Sequence, residues 1–335
     1  VSSPGVVRTT FEASAKPTKP GWRLRGIGSY GLRALLGIVI LGFVLSRLNR
    51  HQLWHLIGRE RPAYFLAAAL IYLIGQMVAA ARWQLLAGLV GIVARYTDCL
   101  LYFFIGAFTN LFIPGLVGGD ATRAIYLGRR YHEMGKAVAS VLADRLIGLL
   151  ALVWVATVAV ATLGRGLLPA AVTSPVLIVG AASVVGYLLL PALHAIVRHM
   201  PARIRATSAM VQPYLHGRLA MLPAIGLAAV LHLLQVTAQY VLALGLSLPL
   251  PFRLFLLCVP LTNVLASMPI TVGGLGVREG LYVVLFGMLG ASKADAAANG
   301  LLWFAVVTVV GICESLAFVL APTTLGQEGA KFTSL

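Results

Sequence analysis

Ile113-Pro114-Gly115-Leu116-Val117-Gly118-Gly119-Asp120-Ala121-Thr122-Arg123 decides how this chain is read, because its pattern returns once. The second copy is Pro269-Ile270-Thr271-Val272-Gly273-Gly274-Leu275-Gly276-Val277-Arg278. Pro114 and Pro269 lie 155 apart (269 − 114), and the same offset relates Val117 to Val272, Gly118 to Gly273, Gly119 to Gly274 and Arg123 to Arg278. Both copies interrupt apolar stretches, 98–116 and 253–291. Proline removes a backbone donor and paired glycines release the helix. Backbone broken in this way survives at membrane depth only inside protein or beside a wet cavity.

Outward from these breaks the chain is apolar almost throughout. Of its 335 residues 59% are hydrophobic and 11% charged, against roughly 45–50% apolar and about 25% charged in a soluble domain. A span needs about 20 apolar residues. Six stretches qualify, at 31–48, 63–88, 138–163, 173–194, 220–247 and 297–321. The expected fold class is an all-α polytopic membrane protein with about six full transmembrane helices plus two re-entrant broken-helix hairpins. Residues 1–29 are expected to form a basic cytoplasmic tail, 30–321 the membrane domain and 322–335 a C-terminal tail.

Loop charge chooses between two topologies. If both broken segments return to the side they entered, most Lys and Arg fall on the cytoplasmic side. If they cross, the clusters at 123–136 and 198–218 join that at 47–61 outside. The positive-inside rule favours re-entry, with both termini cytoplasmic and the 47–61 cluster as the exception. The segments 63–163 and 220–321 then form two repeat halves of opposite orientation. Inverted repeats with paired broken helices are a transporter design whose substrate sites lie where the breaks meet.

The formal charge is +16, from 26 basic and 10 acidic residues. Cationic loops beside apolar spans account for it without nucleic acid, for which no binding module is present. Cys99, Cys258 and Cys313 sit in apolar segments without metal-ligand spacing and read as small buried hydrophobes. The histidines lie mostly in or near loops, and neither a metal site nor a cofactor is expected. Gly274-Leu275-Gly276-Val277-Arg278-Glu279 begins like a dinucleotide loop but has Glu where the third glycine belongs and no preceding strand. No nucleophile or phosphate-loop motif occurs, so an enzyme is not expected.

The intramembrane charges are therefore the candidates for function. A charge at a helix centre costs about 2.5–3.5 kcal/mol on insertion scales, so such residues are paired or functional. Asp120 and Arg123 share a face if a helix starts at the Gly pair, and Arg278 and Glu279 follow Gly276. A guanidinium beside freed backbone N–H groups suits a phosphate. The competing reading is that Asp120 and Glu279 neutralise their own arginines and cap helices. Asp144 and Arg145 point in different directions and need separate partners; Asp144 is assigned to Arg123, to Arg278 or to a coupling proton. Glu314 is a further ion-pair or proton-carrier candidate. Arg82 with Trp83 reads as an interfacial snorkelling anchor. Tyr102, Tyr126, Tyr282 and Asn110 are lining candidates, each also readable as packing.

The runs Pro114–Arg123, Ala143-Asp144-Arg145-Leu146-Ile147-Gly148 and Pro269–Glu279, in that order, resemble the flippase-like family. That family comprises the transmembrane region of lysylphosphatidylglycerol synthases and its stand-alone relatives. The resemblance covers roughly 30–321 and implies a domain that moves a lipid between leaflets of the cell membrane. In the synthases that lipid is an aminoacylated phosphatidylglycerol; relatives are linked to polyprenyl- or glycosyl-linked lipids. The chain shows no soluble aminoacyl-transferase domain, so synthesis of the lysyl-lipid is not expected of it. The site is assigned to Arg123, Arg278, Asp120 and Glu279 with Gly118, Gly119, Gly273 and Gly274, hinged at Pro114 and Pro269. Expected partners are a membrane lipid and a separate lipid-modifying enzyme. An embedded enzyme acting on a lipid phosphate, or a scaffold subunit, stands as the alternative.

Overall fold

The computed structural model describes residues 58, 61–112, 118–192, 212–267 and 276–317. The first expected span (31–48), both tails, and the break residues Pro114, Pro269, Gly273 and Gly274 lie outside the described residues. Within them every regular element is a helix.

Ten α-helices follow in order: α1 Pro62–Leu89, α2 Tyr96–Phe112, α3 Gly118–Tyr131, α4 Met134–Leu163, α5 Ala170–Leu188, α6 Gln212–His216, α7 Leu222–Gly245, α8 Phe252–Ala266, α9 Val277–Met288 and α10 Lys293–Glu314. A 3₁₀ turn at Leu219–Met221 leads into α7. Five segments are long and apolar enough to cross a membrane: α1, α4, α5, α7 with its 3₁₀ turn, and α10. They answer to the expected spans 63–88, 138–163, 173–194, 220–247 and 297–321. The chain is an all-α integral membrane protein.

Local chemistry sets several helix ends. Pro62 occupies the first turn of α1, where no backbone donor is needed. The α1 helix ends just before Gly91, whose φ of +84° only glycine adopts at little cost. The α10 helix is capped by Ser292, which accepts from the Asp295 N–H at 3.1 Å. The α3 helix carries Asp120 in its first turn and Arg129 and Arg130 in its last, matching the sign of the helix dipole.

The offset of 155 extends from motif to architecture. Adding it to Tyr96–Phe112 gives 251–267, against Phe252–Ala266 for α8. Adding it to Met134–Leu163 gives 289–318, against Lys293–Glu314 for α10. Packing obeys the same exchange: α2 lies on α10 of the other half, and α8 lies on α4. The largest contact is between the equivalent helices α1 and α7.

These two run antiparallel. Ala68 and Phe65 near the start of α1 share a core with Val236 and Leu242 near the end of α7. Trp83 and Leu86 share the other core with Met221, Ala224 and Ala228. Tyr214, ahead of α7, donates to the Leu86 carbonyl at 2.7 Å. Midway, Gly75 lies so close to Leu231 that an added Cβ would sit 3.0 Å from its methyl.

The two cores occupy opposite ends of the bundle. One joins α2 and α3 to the end of α1 and the start of α4. The other joins α8 and α9 to the end of α7 and the start of α10. The α2–α3 pair thus packs on one core and the α8–α9 pair on the other. The α5 helix packs on α4 and presents most of its surface outward. Of the three cysteines expected to be buried, Cys99 and Cys258 are, while Cys313 is exposed because α10 turns that face outward.

Candidate functional site

Five charged side chains from three helices form one connected cluster. Asp144 of α4 is 2% exposed and accepts from Arg82 Nε at 2.7 Å and Arg123 Nη1 at 3.2 Å. Arg123 of α3 also donates through Nη2 to Asp120 at 2.6 Å. Asp120 takes a second bond from Arg145 Nε at 2.5 Å. Asp144 and Arg145 therefore do find separate partners, as adjacent positions on a helix require. Asp144 pairs with Arg123, one of its expected partners, and with Arg82.

Arg82 corrects a reading. It is not an interfacial anchor: Arg82 is 6% exposed and Trp83 fully buried. Trp83 donates from Nε1 to Ser140 Oγ at 3.1 Å. The aromatic neighbour that suggested a membrane interface instead packs inside the bundle, beneath the Arg123 guanidinium, 5.1 Å from the ring. Phe103 contacts the same guanidinium at 4.7 Å. Arg123 is thus held by two carboxylates and two rings, as a keystone.

Small residues permit this arrangement. A Cβ on Gly106 would meet the Arg123 Cγ at 2.7 Å and the Gly119 carbonyl at 2.8 Å, and one on Gly119 would enter the Gly106 carbonyl and the Asn110 amide. The α2 and α3 helices approach this closely only because both positions are glycine. Asn110 Oδ1 accepts the Gly119 N–H at 2.9 Å, satisfying a donor in the first turn of α3. Gly148 leaves room for Arg82 Nη1, which an added Cβ would approach to 3.2 Å. The Gly148 carbonyl meets His232 Nε2 at 3.0 Å.

This cluster lines a cavity of about 470 Å³. Its polar wall carries Arg82, Asp120, Arg123, Asp144 and Arg145, with Gln76, Asn110 and His232 nearby. The second half contributes Leu231, His232 and Ser267, the last residue before the second break. The cavity therefore lies between the halves. Its other wall holds Leu146 and Leu149, respectively 68% and 43% exposed on the outer face of the bundle.

The charges do not cancel. Three arginines against two aspartates leave +1 (3 − 2). One buried guanidinium nitrogen, Arg82 Nη1, has no hydrogen-bond partner among the described residues. A buried donor left unpaired costs about 1–3 kcal/mol, more when charged. An anionic oxygen is the kind of acceptor that would satisfy such a donor.

The remaining expected site residues are placed elsewhere. Arg278, Glu279 and Glu314 do not line this cavity. Glu279 is buried and accepts from the Gly276 N–H at 2.7 Å, closing the first turn of α9. Arg278 and Glu314 are ionisable neighbours of Tyr72 on α1. Gly118 and Gly119 open α3. Asn110 lines the cavity; Tyr102 and Tyr126 instead stack on one another with centroids 5.3 Å apart. Tyr282 donates to Gln239 in the second half.

Of the polar cavity residues, Gln76, His232 and Ser267 carried no site expectation from the sequence. His232 stands in the middle of an apolar span, where a polar side chain is itself the signal. Gln76 shares a face of α1 with Ala79 and Arg82, spaced three and six residues on.

Residues 31–313 match the family described as the lysylphosphatidylglycerol synthase TM region. The match covers most of the chain, which belongs to that family. No curated protein matches it.

Proposed function

We propose that this protein moves an anionic or glycosylated lipid, polyprenyl-linked carriers included, between the leaflets of the cell membrane, without covalent change. One observation carries the reading. The cavity joins a buried wall of net charge +1, holding an unpaired Arg82 Nη1, to a lip of outward-facing leucines. A free anion has no use for the leucines, and an acyl chain has none for the guanidinium. A lipid uses both.

In this reading Arg82 and Arg145 take the headgroup phosphate, and Arg123 holds the two aspartates that keep the arginines in place. Asn110, Ser267 and Asp120 offer partners to headgroup hydroxyls. Membership of the lysylphosphatidylglycerol synthase TM region family agrees with a lipid ligand. The α2–α3 and α8–α9 segments act as re-entrant hairpins with hinges at Pro114 and Pro269, and both termini lie in the cytoplasm. Rocking of the inverted halves about the α1–α7 contact opens the cavity alternately. Arg278, the repeat equivalent of Arg123, serves the headgroup in the alternate state.

The test is native mass spectrometry of gently purified protein, with liposome translocation of the lipid it identifies. One anionic or glycosylated lipid retained by the wild type and lost from Arg145→Gln supports the reading. Retention of bulk lipid alone, unchanged by the substitution, overturns it. Covalent alteration of the lipid during translocation would instead establish an embedded enzyme.

A further inference from the structure

Near the end of α10 stands Glu314, 3% exposed and preceded by a stretch from Gly300 to Cys313 without another charge. Neither of its carboxylate oxygens makes a hydrogen bond of ordinary geometry among the described residues. An ionised carboxylate in such a place lacks both water and a partner, so the geometry suits the neutral acid. Its polar neighbour is the Gln76 amide of α1. One turn earlier on that helix is Tyr72, which has Glu314 and Arg278 as ionisable neighbours.

The other helices packed on α10 are α2, α7 and α9. The adjoining part of α2, residues 103–112, has no titratable side chain. The α7 helix has His232, held at the Gly148 carbonyl, and Tyr240, packed between Phe252 and Phe255. From α9 come Arg278 and Glu279, the latter engaged with the Gly276 N–H. Glu279 is thus committed to a backbone N–H, whereas Glu314 has none among the described residues.

Gln76 also lines the anion cavity. A single amide thus touches both the buried acid and the chamber. An amide has a donor end and an acceptor end, and only one can face each side. When Glu314 is ionised, the Gln76 NH₂ turns to the carboxylate and the carbonyl faces the cavity, which disfavours an anion. When Glu314 carries its proton, the acid O–H donates to the Gln76 carbonyl and the NH₂ faces the cavity, which favours one.

We infer that Glu314 is a proton-binding site coupled to the anion cavity through the Gln76 amide, so that a proton and an anionic headgroup bind together. The coupling rests on the headgroup reading of the cavity; the proton site does not. One proton from solution joins a carboxylate oxygen as the anion enters, and both leave together. No other bond changes.

The experiment uses full-length protein in detergent with short-chain dihexanoylphosphatidylglycerol as the probe, its affinity measured across pH. Proton uptake on binding is read by a dye in weak buffer. Wild-type affinity should fall with rising pH by roughly ten-fold, the ordinary scale of coupling between sites. E314Q should bind at the low-pH affinity throughout and take up no proton. Q76L should keep the Glu314 proton but lose its influence on affinity. A pH-dependence or proton uptake that persists in E314Q overturns the inference. Infrared difference spectra of ligand-free protein decide the proton site separately: a carboxylic-acid band that titrates in wild type and is missing from E314Q supports it, and an identical spectrum in E314Q overturns it. Wild type that binds no probe at any pH refutes the coupling and the headgroup reading, while the infrared result still stands for Glu314 itself.

Discussion

Arg82 and Asp144 meet across 62 residues of chain, Nε to Oδ1 at 2.7 Å, with both side chains buried. Asp144 also holds Arg123, so removing it leaves two guanidinium groups without their shared acceptor. Breaking a buried pair by deleting one partner costs about 3–5 kcal/mol. Asp144→Ala should therefore lower thermal stability in detergent sharply. Arg82→Met combined with Asp144→Leu should recover much of that loss, because it removes both charges together. The double variant should still fail to retain an anionic lipid. Equal stability of Asp144→Ala and wild type would show that the pairs contribute little to the fold.

Arg145 offers the opposite combination. Its side chain is 44% exposed and reaches Asp120 at the cavity edge. Half-exposed ion pairs contribute about 0–1 kcal/mol, and salt screens them. Arg145→Gln should leave the unfolding temperature nearly unchanged. Binding of an anionic lipid should weaken about ten-fold, or about 1.4 kcal/mol, on losing one charge-assisted contact. The measurement is lipid retention at two ionic strengths. A large stability loss with unaltered retention would assign Arg145 to the scaffold.

Glycines at the α2–α3 contact should tolerate nothing larger. A Cβ on Gly119 enters the Gly106 carbonyl, and backbone cannot rotate away as a side chain can. Overpacking typically costs about 1–3 kcal/mol. Gly119→Ala should therefore destabilise the protein and shift Arg123, the residue packed beside Gly106. Gly88→Ala is the control, since nothing lies within 4 Å of the added carbon. Alanine there should be neutral or stabilise by up to about 1 kcal/mol. Thermal unfolding of the two variants side by side checks the contrast.

The spans could be read in the sequence because each is a continuous apolar run that a bilayer demands. The repeat was legible because Pro and Gly at breaks cannot be replaced freely, so the offset survived in Pro114/Pro269 and Arg123/Arg278. The partnership of Arg123 with Asp144 was one of three readings left open by the sequence, beside Arg278 and a coupling proton, because adjacency along a helix says that Asp144 needs a partner and not which one. Arg82 was misread because its local context, an arginine beside a tryptophan, is the same for an interfacial anchor and for a buried pair. Only the approach of α4, 57 residues away at Ser140, distinguishes them. His232 and Gln76 lacked any local pattern, since their roles come from lining a space between helices that are distant in sequence.

The repeat is also electrostatically lopsided, and that asymmetry can be tested. Asp144 maps by the offset onto Asn299 (144 + 155), Arg145 onto Gly300 and Asp120 onto Leu275. The half that holds three arginines and two aspartates thus faces a half with a neutral counterpart at each of those three positions. Asn299 is 2% exposed and donates from Nδ2 to the Gln239 carbonyl at 3.0 Å. Asn299→Asp deletes that donor and sets a carboxylate against a carbonyl oxygen in a buried place. Gln239 Nε2, without a partner among the described residues, offers one neutral donor in compensation. A single neutral hydrogen bond contributes only about 0.5–1.5 kcal/mol net, well short of desolvating an ion, which takes several kcal/mol. The substitution should therefore cost about 2–4 kcal/mol, read as a lowered unfolding temperature, and the loss should shrink as pH falls and the new acid is protonated. Unchanged stability at neutral pH would mean that Arg278 reaches the introduced carboxylate as Arg123 reaches Asp144. The two halves would then share one electrostatic design, with the second merely lacking its acid.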